Sequence, residues 1–318
     1  MLRAKNNRTI QLTPKDKKEL PSKIFKLNKL VTTKEVVNKV IQGDTLEITK
    51  YLPDNFVDLL FIDPPYNLSK NYNGNKFAKK TDQGYYDWVE TWLIPLKSKL
   101  KTTASIYICG DWSTSAILQN ICEDHFKILN RITIIRDKGR GSKNSWKNNS
   151  EDIWFCCVDK KKYYFNADAV KIRKKVIAPY KENGKPKDWI STKDEKYRLT
   201  HASNVWVDEE PSNLWDDITI PFWSMPENTP HPTQKPEKLL ARVILASSKV
   251  NDIVLDPFSG VGTTGVVAKK LNRNFVMIEK DPEYCLYALR RLIKAEQDKT
   301  IQGMKDGIFY ERNYKVKL

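Results

Sequence analysis

The stretch LDPFSGVGTTG, Leu255 to Gly265, decides the fold because it joins the end of an apolar strand pattern to a glycine-rich turn. Gly260, Gly262 and Gly265 have the spacing G-x-G-x-x-G, and Glu279 follows 19 positions after Gly260, at the end of the apolar run NFVMIE. Glycines at this spacing between a strand and a helix, followed by an acid, are typical of loops that bind a nucleotide-type ligand. The stretch therefore predicts the strand–loop–helix–strand half of an α/β domain, placed near the end of the chain rather than at its start.

Composition and charge indicate a globular protein with an unusually basic surface. The chain has 318 residues, enough for one elaborated domain or two small ones, and its 55 Lys and Arg against 39 Asp and Glu leave a net charge of +16. The five cysteines form no C-x-x-C pair and only three histidines are present, so we expect reduced thiols, no zinc site and a cytoplasmic location. No segment has the pattern of a secretory signal or a membrane span.

The basic excess is concentrated in three stretches. Residues 1–30 carry nine Lys and Arg against two acids, residues 171–198 carry ten against four, and Arg136–Lys147 carries five against one. A solvated basic surface that keeps the protein soluble is one interpretation, and a polyanion partner is the other. The clustering favours a groove that faces nucleic acid, although charge alone does not distinguish DNA from RNA.

Four predicted strands end in acidic residues: Asp44, Asp63, Asp256 and Glu279. Ligands of open parallel sheets bind outside the carboxyl ends of the strands, so these acids would line one crevice if their strands share a sheet. A single acid at a strand end is more commonly a helix cap. Four of them, two followed by proline, exceed what capping alone accounts for.

The tetrapeptide DPPY, Asp63 to Tyr66, follows the apolar run VDLLFI. A residue before proline is pushed toward extended geometry, and each proline has a fixed φ and no N–H group. The result is a stiff turn that presents the Asp63 carboxylate and the Pro64 carbonyl as acceptors beside the flat ring of Tyr66. Such an arrangement suits a planar amine, although a Pro-Pro turn with Asp63 as a local cap fits the tetrapeptide equally well.

Five short motifs in a fixed order resemble the β-class of DNA amino-methyltransferases, which transfer a methyl group from S-adenosylmethionine to adenine N6 or cytosine N4. Each motif alone is weak, but their order argues against chance, and together they cover roughly residues 38–295. The motifs are GD at Gly43–Asp44, DPPYN at Asp63–Asn67, HPTQKP at His231–Pro236, LDPFSGVGTTG, and IEKDPEY at Ile278–Tyr284.

The resemblance implies an α/β fold of the Rossmann-like, S-adenosylmethionine-dependent methyltransferase type, circularly permuted and interrupted by a target-recognition region. The permutation explains the late glycine loop, because the cofactor-binding half follows the catalytic half along the chain. We therefore expect five segments: a basic N-terminal arm (1–30), the catalytic half (31–165), a target-recognition insert (166–230), the cofactor-binding half (231–295) and a C-terminal tail (296–318).

The same resemblance implies roles for the residues that would hold S-adenosylmethionine. Asp256 meets the amino group of the cofactor, and Glu279 accepts hydrogen bonds from both ribose hydroxyls. Asp44 accepts from the adenine amino group, whereas Thr233 and Lys235 hold the carboxylate near a helix start. The full predicted set is Asp44, His231, Thr233, Lys235, Asp256, Phe258, Gly260, Gly262, Thr264 and Glu279.

Catalysis is assigned by the resemblance to Asp63, Pro64, Pro65 and Tyr66. The exocyclic amine of adenine is a poor nucleophile, and acceptance of its two N–H bonds by Asp63 and the Pro64 carbonyl would aim a lone pair at the methyl group. The base must first leave the duplex, at a cost of roughly a few kcal/mol. Stacking on Tyr66, worth ~1–3 kcal/mol, would offset much of that cost.

The predicted partner is double-stranded DNA, with a cognate restriction endonuclease as a further candidate and a monomer or homodimer as the expected assembly. Lys and Arg side chains of the basic stretches would mostly contact phosphate, while a few insert residues would contact base edges. The predicted DNA-binding residues are Arg140, Lys143, Lys147, Arg173, Lys174 and Lys175.

Adenine N6 is the expected target, because Asp at the first position of DPPY is usual in the adenine enzymes of this class and Ser is commoner in the cytosine-N4 enzymes. Cytosine-N4 methylation remains the alternative with the same chemistry, and an RNA substrate is a weaker one. A DNA-binding protein that keeps this fold without catalysis is the alternative from another class. A NAD-dependent enzyme is disfavoured because it leaves DPPY and HPTQKP unexplained.

Overall fold

Apolar runs that end in acidic residues form the central strands of the protein. The computed structural model describes residues 7–72, 75–140, 144, 146, 148–175, 181–183, 185–186, 189–191, 196–200, 214–215, 217–219 and 221–310. Val57–Ile62 illustrates why these runs form central strands, since its alternate side chains enter two different cores. Leu59 and Phe61 pack into one, and Leu60 and Ile62 pack into the other. Strands that are covered on both faces read as continuous apolar runs.

The strands alternate with helices along the chain. Within the described residues, no helix is long and apolar enough to cross a bilayer. Short 3₁₀ turns occur at Leu20–Lys23, Thr49–Tyr51 and Ala167–Val170. The α-helices are α1 (Pro14–Glu19), α2 (Thr33–Val36), α3 (Thr45–Ile48), α4 (Asp82–Lys97), α5 (Ser115–His125), α6 (Glu237–Ser247), α7 (Thr263–Lys270) and α8 (Pro282–Gln297).

Strands alternate with these helices in the amino-terminal and carboxyl-terminal parts of the chain, whereas the described strands between β7 and α6 are short. In chain order they are β1 (Lys39–Gln42), β2 (Val57–Ile62), β3 (Lys70–Tyr72), β4 (Asn75–Phe77), β5 (Leu100–Asp111), β6 (Lys127–Arg140), β7 (Asn148–Cys157), β8 (Ile172–Lys175), β9 (Lys181–Glu182), β10 (Lys185–Pro186), β11 (Ile190–Ser191), β12 (Lys196–Thr200), β13 (Leu214–Trp215), β14 (Ile253–Asp256), β15 (Asn274–Glu279), β16 (Met304–Lys305) and β17 (Ile308–Tyr310).

The main sheet has the order β1-β15-β14-β2-β5-β7-β6-β13. β1, β15, β14, β2 and β5 run parallel, and β7 is antiparallel to both β5 and β6. The strand before the glycine loop, β14, therefore lies beside β2, although almost 200 residues separate them along the chain. The predicted α/β fold and its circular permutation are confirmed, because the late strands β14 and β15 lie between the early strands β1 and β2.

The topological switch of this sheet lies between β14 and β2. From β14 the chain continues to one side through β15, and from β2 it continues to the other side through β5. A crevice at the carboxyl ends of such strands is the usual ligand site of an open α/β sheet. The fold thus places the end of LDPF and the start of DPPY next to each other.

Helix α6 is buried on nearly every face, which exceeds the single apolar face that its sequence predicts. Its charged residues Lys238 and Arg242 are buried because Asp217 of the preceding segment forms ion pairs with both. Burial would raise the pKa of Asp217, but these two cations outweigh it and hold the value at about 2. The segment around Asp217 is therefore held against α6 by charge as well as by packing.

A second sheet joins strands of the predicted insert to strands near the carboxyl-terminal end of the described residues. Its order is β11-β12-β8-β17-β16, so that β17 of the expected tail runs parallel to β8 of the insert. The described part of the basic arm also contacts the predicted insert, since the Arg8 and Ile10 amides donate to the Trp223 and Asn228 carbonyls over 2.7 and 2.8 Å. Residues near both ends of the described part of the chain thus pair with residues of the predicted insert.

One local prediction is wrong. The neighbouring runs EDIWFCCV (Glu151–Val158) and KYYF (Lys162–Phe165) predict a β-hairpin from the sequence, but the two segments do not pair with each other. EDIWFCCV belongs to β7, whose two edges are occupied by β5 and β6. No edge of β7 is left for the KYYF segment, and residues 163–166 continue without regular secondary structure.

Candidate active site

A cavity of about 870 Å³ lies at the carboxyl ends of β14 and β2. Its size falls within the usual range for small-molecule and cofactor sites, about 300–1,000 Å³. Residues from β1, β2, β5, β7, β14 and β15 or from the loops after them line its walls. The switch point of the sheet is therefore an actual concave site.

The four acids at the strand ends all line this cavity. Their order across the sheet follows from the register, because Gln42 of β1 pairs with Glu279 and Leu255 of β14 pairs with Leu60 of β2. Asp44 lies two residues beyond the end of β1, and Asp63 lies one residue beyond the end of β2. The structure therefore brings together the acids that the sequence singles out.

Asp256 is the most buried acid of the cavity, with 3% of its surface exposed. Its Oδ1 accepts from the Phe258 amide over 3.0 Å, and its Oδ2 accepts from the Thr264 hydroxyl over 2.5 Å. Burial raises the pKa of Asp256 to about 7, with smaller contributions from the neighbouring carboxylates of Asp63 and Glu279. A cation bound here would favour its ionised form.

The Glu279 carboxylate accepts hydrogen bonds from two backbone amides that line the cavity. Its Oε2 accepts from the Gly260 amide and its Oε1 from the Asp281 amide, both over 2.7 Å. Burial raises the pKa of Glu279 to about 7 despite these hydrogen bonds. The acid that the sequence pairs with the glycine loop is thus in direct contact with that loop.

The raised pKa values of Asp256 and Glu279 link stability to pH. The reference values are 3.8 and 4.5, so the folded protein holds protons on these carboxyls that the unfolded chain has already released. Their contribution to the free energy of unfolding is fully present below the reference pKa values and is lost as the pH rises through about 7. A cationic ligand would reverse that loss by favouring the ionised carboxylates.

The glycine loop is packed too tightly for side chains. Gly260 and Gly262 have φ values of +51° and +76°, which L-residues rarely adopt. A Cβ atom on Gly262 would lie 2.7 Å from Cβ of Ala288 in α8, and one on Gly260 would lie 3.2 Å from Nε2 of His231. The His231 ring also contacts the Tyr284 ring, with centroids 4.5 Å apart. His231 therefore supports the loop from beneath.

The other predicted cofactor residues are distributed around the cavity wall. Asp44 lies at the rim, where its carboxylate accepts from the Leu46 amide over 3.1 Å and pairs with Lys280 over 2.9 Å. Phe258 packs edge-to-face on Trp92, with ring centroids 5.1 Å apart. Thr233 donates its amide to Nδ1 of His231 over 3.2 Å. The structure thus brings every predicted cofactor residue to one cavity, with the exception of Gly262, which lies behind the wall.

The DPPY turn forms the opposite wall. Asp63 Oδ1 accepts from the Tyr66 hydroxyl over 3.1 Å, and the Pro65 carbonyl accepts from the Tyr85 hydroxyl over 3.0 Å. Just beyond the turn, the buried Asn67 side chain exchanges two hydrogen bonds with the Lys80 backbone, over 2.8 and 3.0 Å. These contacts add to the stiffness of the two prolines and hold the Asp63 carboxylate at the cavity.

Lys235 lies against the DPPY turn. Its Nζ donates to Asp63 Oδ1 over 2.7 Å and to the Tyr66 hydroxyl over 3.2 Å. A second carboxylate, that of Glu151, is 3.8 Å from the same Nζ. Lys235 is predicted to bind the cofactor carboxylate, and in the structure it contacts Asp63, the predicted catalytic acid.

Glu151 and Trp112 are among the residues of the cavity wall that sequence reasoning missed. Glu151 is a buried carboxylate on β7, and Trp112, which follows β5, lines the cavity with 61% of its surface exposed. Trp112 could have been found by the signal that found Asp63, because it comes directly after the strand SIYICGD. Glu151 had no such signal, since it lies inside an antiparallel strand, where side chains alternate between faces.

Few of the predicted DNA-binding side chains fall within the described residues. Lys143 and Lys147 lie outside them, and only the backbone is described for Arg140 in β6 and for Lys174 and Lys175 in β8. Arg173 in β8 is described, and its guanidinium lies 3.6 Å from the centroid of the Tyr197 ring. Contact of these six residues with DNA remains a prediction.

The fold and the cavity define a Rossmann-like domain that combines a glycine-loop ligand site with an acidic Pro-Pro turn. Residues 57–290 match the DNA methylase family, and the chain belongs to that family. The family and the class of activity implied by the sequence motifs, methylation of DNA, are thereby confirmed.

Curated relatives match over most of their length. The DNA adenine methyltransferase YhdJ of Escherichia coli (strain K12) is 35% identical over 280 residues, which cover 86% of this chain and 90% of that protein. The type II methyltransferase M.HinfI of Haemophilus influenzae is 33% identical over 281 residues, which cover 81% of this chain and 69% of that protein.

Solved structures share the fold at lower identity. A complex of M1.HpyAVI with SAM superposes with a TM-score of 0.53 at 22% identity and covers 80% of this chain and 98% of that one. The PvuII DNA methyltransferase, described as cytosine-N4-specific, superposes with a TM-score of 0.55 at 18% identity and covers 81% of this chain and 90% of that one. At these identities the similarity establishes the fold alone.

Proposed function

We propose that the protein transfers a methyl group from S-adenosylmethionine to N6 of a flipped-out adenine in double-stranded DNA. One observation carries the proposal: the Asp63–Tyr66 turn and the Asp256–Glu279 half line the same cavity. A base amine held by Asp63 and a methyl donor held by the glycine loop would therefore meet where β2 adjoins β14. No covalent intermediate with the enzyme is needed for such a transfer.

The residues of the glycine-loop half fit S-adenosylmethionine. Burial raises the pKa values of Asp256 and Glu279 to about 7, so this half of the cavity suits a ligand that brings positive charge. S-adenosylmethionine carries a sulfonium and an ammonium group, and it supplies an electrophilic methyl group when bound. Glu279 would accept from the ribose hydroxyls, Asp256 from the amino group, and Asp44 at the rim from the adenine amine.

The DPPY half fits an extruded base. Asp63 is preorganised by the Tyr66 hydroxyl at 3.1 Å and by the stiff Pro64–Pro65 pair, so its carboxylate need not reorient during the reaction. Positive charge develops on N6 during transfer, and the Asp63 carboxylate stabilises it. Tyr66 lines the same wall and offers a ring on which the base can stack.

Adenine is favoured over cytosine by the relatives rather than by the fold. YhdJ, at 35% identity, is named a DNA adenine methyltransferase, whereas the PvuII enzyme, with the same fold, is named cytosine-N4-specific. Asp63 at the first DPPY position agrees with the adenine assignment. Cytosine N4 is the alternative, because a carboxylate can accept from either exocyclic amine.

The wider setting of the protein is also part of this proposal. M.HinfI is named a type II methyltransferase, which supports a role as the modification component of a restriction–modification system with a cognate endonuclease. A cytoplasmic location and a monomeric or homodimeric assembly remain predictions. The basic stretches would hold the DNA backbone while the insert reads the sequence.

The test is nucleoside mass spectrometry of DNA from a methylation-free host that expresses the chain. N6-methyladenine is the expected product, with the Asp63→Ala variant as the matched negative control. N4-methylcytosine would overturn the base assignment but keep the mechanism. Absence of both marks, with soluble protein that binds S-adenosylmethionine, would contradict the proposed reaction on DNA.

A further inference from the structure

Lys235 lies between two carboxylates in the DPPY half of the cavity. Its Nζ is 2.7 Å from Asp63 Oδ1 and 3.8 Å from Glu151 Oε2. The Lys235 and Glu151 side chains are only 11% and 8% exposed, so solvent screens neither charge well. The pocket therefore holds a partly desolvated ammonium that has a near partner and a second partner about 1 Å farther away.

The contact with Asp63 conflicts with the proposed chemistry. Asp63 Oδ1 accepts from both Lys235 and Tyr66, so a base amine would have to compete with two donors at this oxygen. Lys235 also neutralises the charge that should stabilise the positive charge developing on N6. Release of Lys235 without a new partner would leave a buried ammonium unpaired, which is strongly unfavourable.

We propose that Glu151 is a positioning residue that takes over the Lys235 ammonium when the target base enters, and thereby frees Asp63 to bind the amine. The inference rests on the proposed function. A shift of about 1 Å brings Nζ from 3.8 Å to the usual 2.7–2.9 Å of a charge-assisted hydrogen bond to Glu151. The transfer keeps the ammonium paired throughout.

The backbone geometry favours movement of Lys235 rather than of Glu151. Glu151 is held on β7, where its neighbours across the sheet are Asp111 of β5 and Ile134 of β6. Lys235 precedes α6, in a segment without regular secondary structure, and its four-carbon stem has rotational freedom. The fixed carboxylate is therefore the receiver and the flexible ammonium is the group that moves.

The charge balance of the three side chains makes the proposal testable. Asp63, Glu151 and Lys235 together carry one net negative charge, which resides on Asp63 once Lys235 pairs with Glu151. In Glu151→Gln the Lys235 ammonium stays paired with Asp63, and the net charge of the three side chains becomes zero. In the double variant Glu151→Gln/Lys235→Met the ammonium is absent, and Asp63 again carries its negative charge.

The experiment compares steady-state kinetics on duplex DNA and the Kd for S-adenosylmethionine in the wild type and the variants. We expect Glu151→Gln to lower kcat about 10- to 100-fold with little change in KM for the cofactor, which is less than the ~10²–10³-fold cost of removing a group that contacts the transition state itself. The double variant should be about tenfold faster than Glu151→Gln. Two purely structural defects would instead make the double variant slower than Glu151→Gln alone. Glu151→Asp, which keeps the charge, should lie above Glu151→Gln.

Asp152 offers the matched control, because it is the next residue of β7 and points to the other face. Its carboxylate accepts from the Ser115 and Thr133 hydroxyls, each over 2.7 Å. Asp152→Asn should lower thermal stability without a comparable loss of kcat. If Glu151→Gln loses stability in parallel with Asp152→Asn and shows no further kinetic loss, Glu151 is only structural.

Three outcomes overturn the proposal. Unchanged kcat in Glu151→Gln would show that the Lys235 ammonium does not need Glu151 as a second partner. A double variant with no higher kcat than Glu151→Gln would show that loss of the ammonium does not free Asp63. A Lys235→Met variant whose kcat at saturating cofactor falls as far as that of Glu151→Gln also contradicts it, because removal of the ammonium should leave Asp63 free. Lack of methyl transfer by the wild type would refute the proposed function itself, which keeps the two failures distinct.

Discussion

Gly262→Ala tests whether the glycine loop is held by packing against α8. Gly262 has a φ of +76°, and a left-handed alanine costs about 1–2 kcal/mol. Its Cβ would lie 2.7 Å from the Ala288 Cβ and 3.2 Å from the Met277 sulfur. Relief of such an overlap costs about 1–3 kcal/mol, so the free energy of unfolding should fall by about 2–5 kcal/mol in total.

Gly307 provides a control with the same backbone conformation. Its φ is +77°, and no heavy atom lies within 4 Å of the position that a Cβ would take. Gly307→Ala should therefore lose only the conformational part, about 1–2 kcal/mol. The difference between the two variants isolates the steric part and should be about 1–3 kcal/mol.

The assay is urea unfolding monitored by far-UV circular dichroism, combined with calorimetric titration of S-adenosylmethionine. Gly262→Ala should unfold at lower urea than Gly307→Ala and should bind the cofactor more weakly, because relief of the contact with α8 shifts the loop toward the cavity. Equal stability of the two variants would refute the argument that the loop is packed against Ala288.

Three further results follow from the site. Asp63→Ala should lower methyl transfer by at least two orders of magnitude, about the loss of a preorganised charge, while calorimetry still detects S-adenosylmethionine binding; normal turnover would contradict the mechanism. Tyr66→Ala should lower turnover more than duplex affinity in a filter-binding assay; a collapse of duplex affinity instead would exclude Tyr66 as a stacking platform. The cofactor-free protein should lose thermal stability as the pH rises from about 4 to about 7, because over this range the unfolded chain has released the protons that buried Asp256 and Glu279 still hold. Asp256→Asn should flatten that slope, and an unchanged slope would argue against the raised pKa of Asp256.

Much of the catalytic framework could be predicted because it depends on local patterns. VDLLFI and DIVLD form strands because continuous apolar runs suit the middle of a parallel sheet, and each ends at an acid that lines the cavity. The glycine loop has the conformation that its spacing indicates, with positive φ at Gly260 and Gly262. These features need only a few adjacent residues to specify them.

Other features depend on residues far apart in the chain and could not be predicted. The hairpin prediction for EDIWFCCV failed because the pairing of β7 with β5 and β6 is decided by which edges are free. β17 joins β8 across more than 130 residues, and Asp217 buries the charged residues of α6. Local periodicity carries no information on such partners.

The sequence by itself determined the class of the protein, the order of its motifs along the chain and the acids at the ends of the strands. Those properties follow from short-range chemistry: apolar runs, proline constraints and glycine conformations. Only the tertiary structure decided that Lys235 meets Asp63 and that Glu151 stands beside them. The reason is physical, because a flexible side chain takes its partner from whatever charge folding brings within reach, and the three residues come from separate parts of the chain.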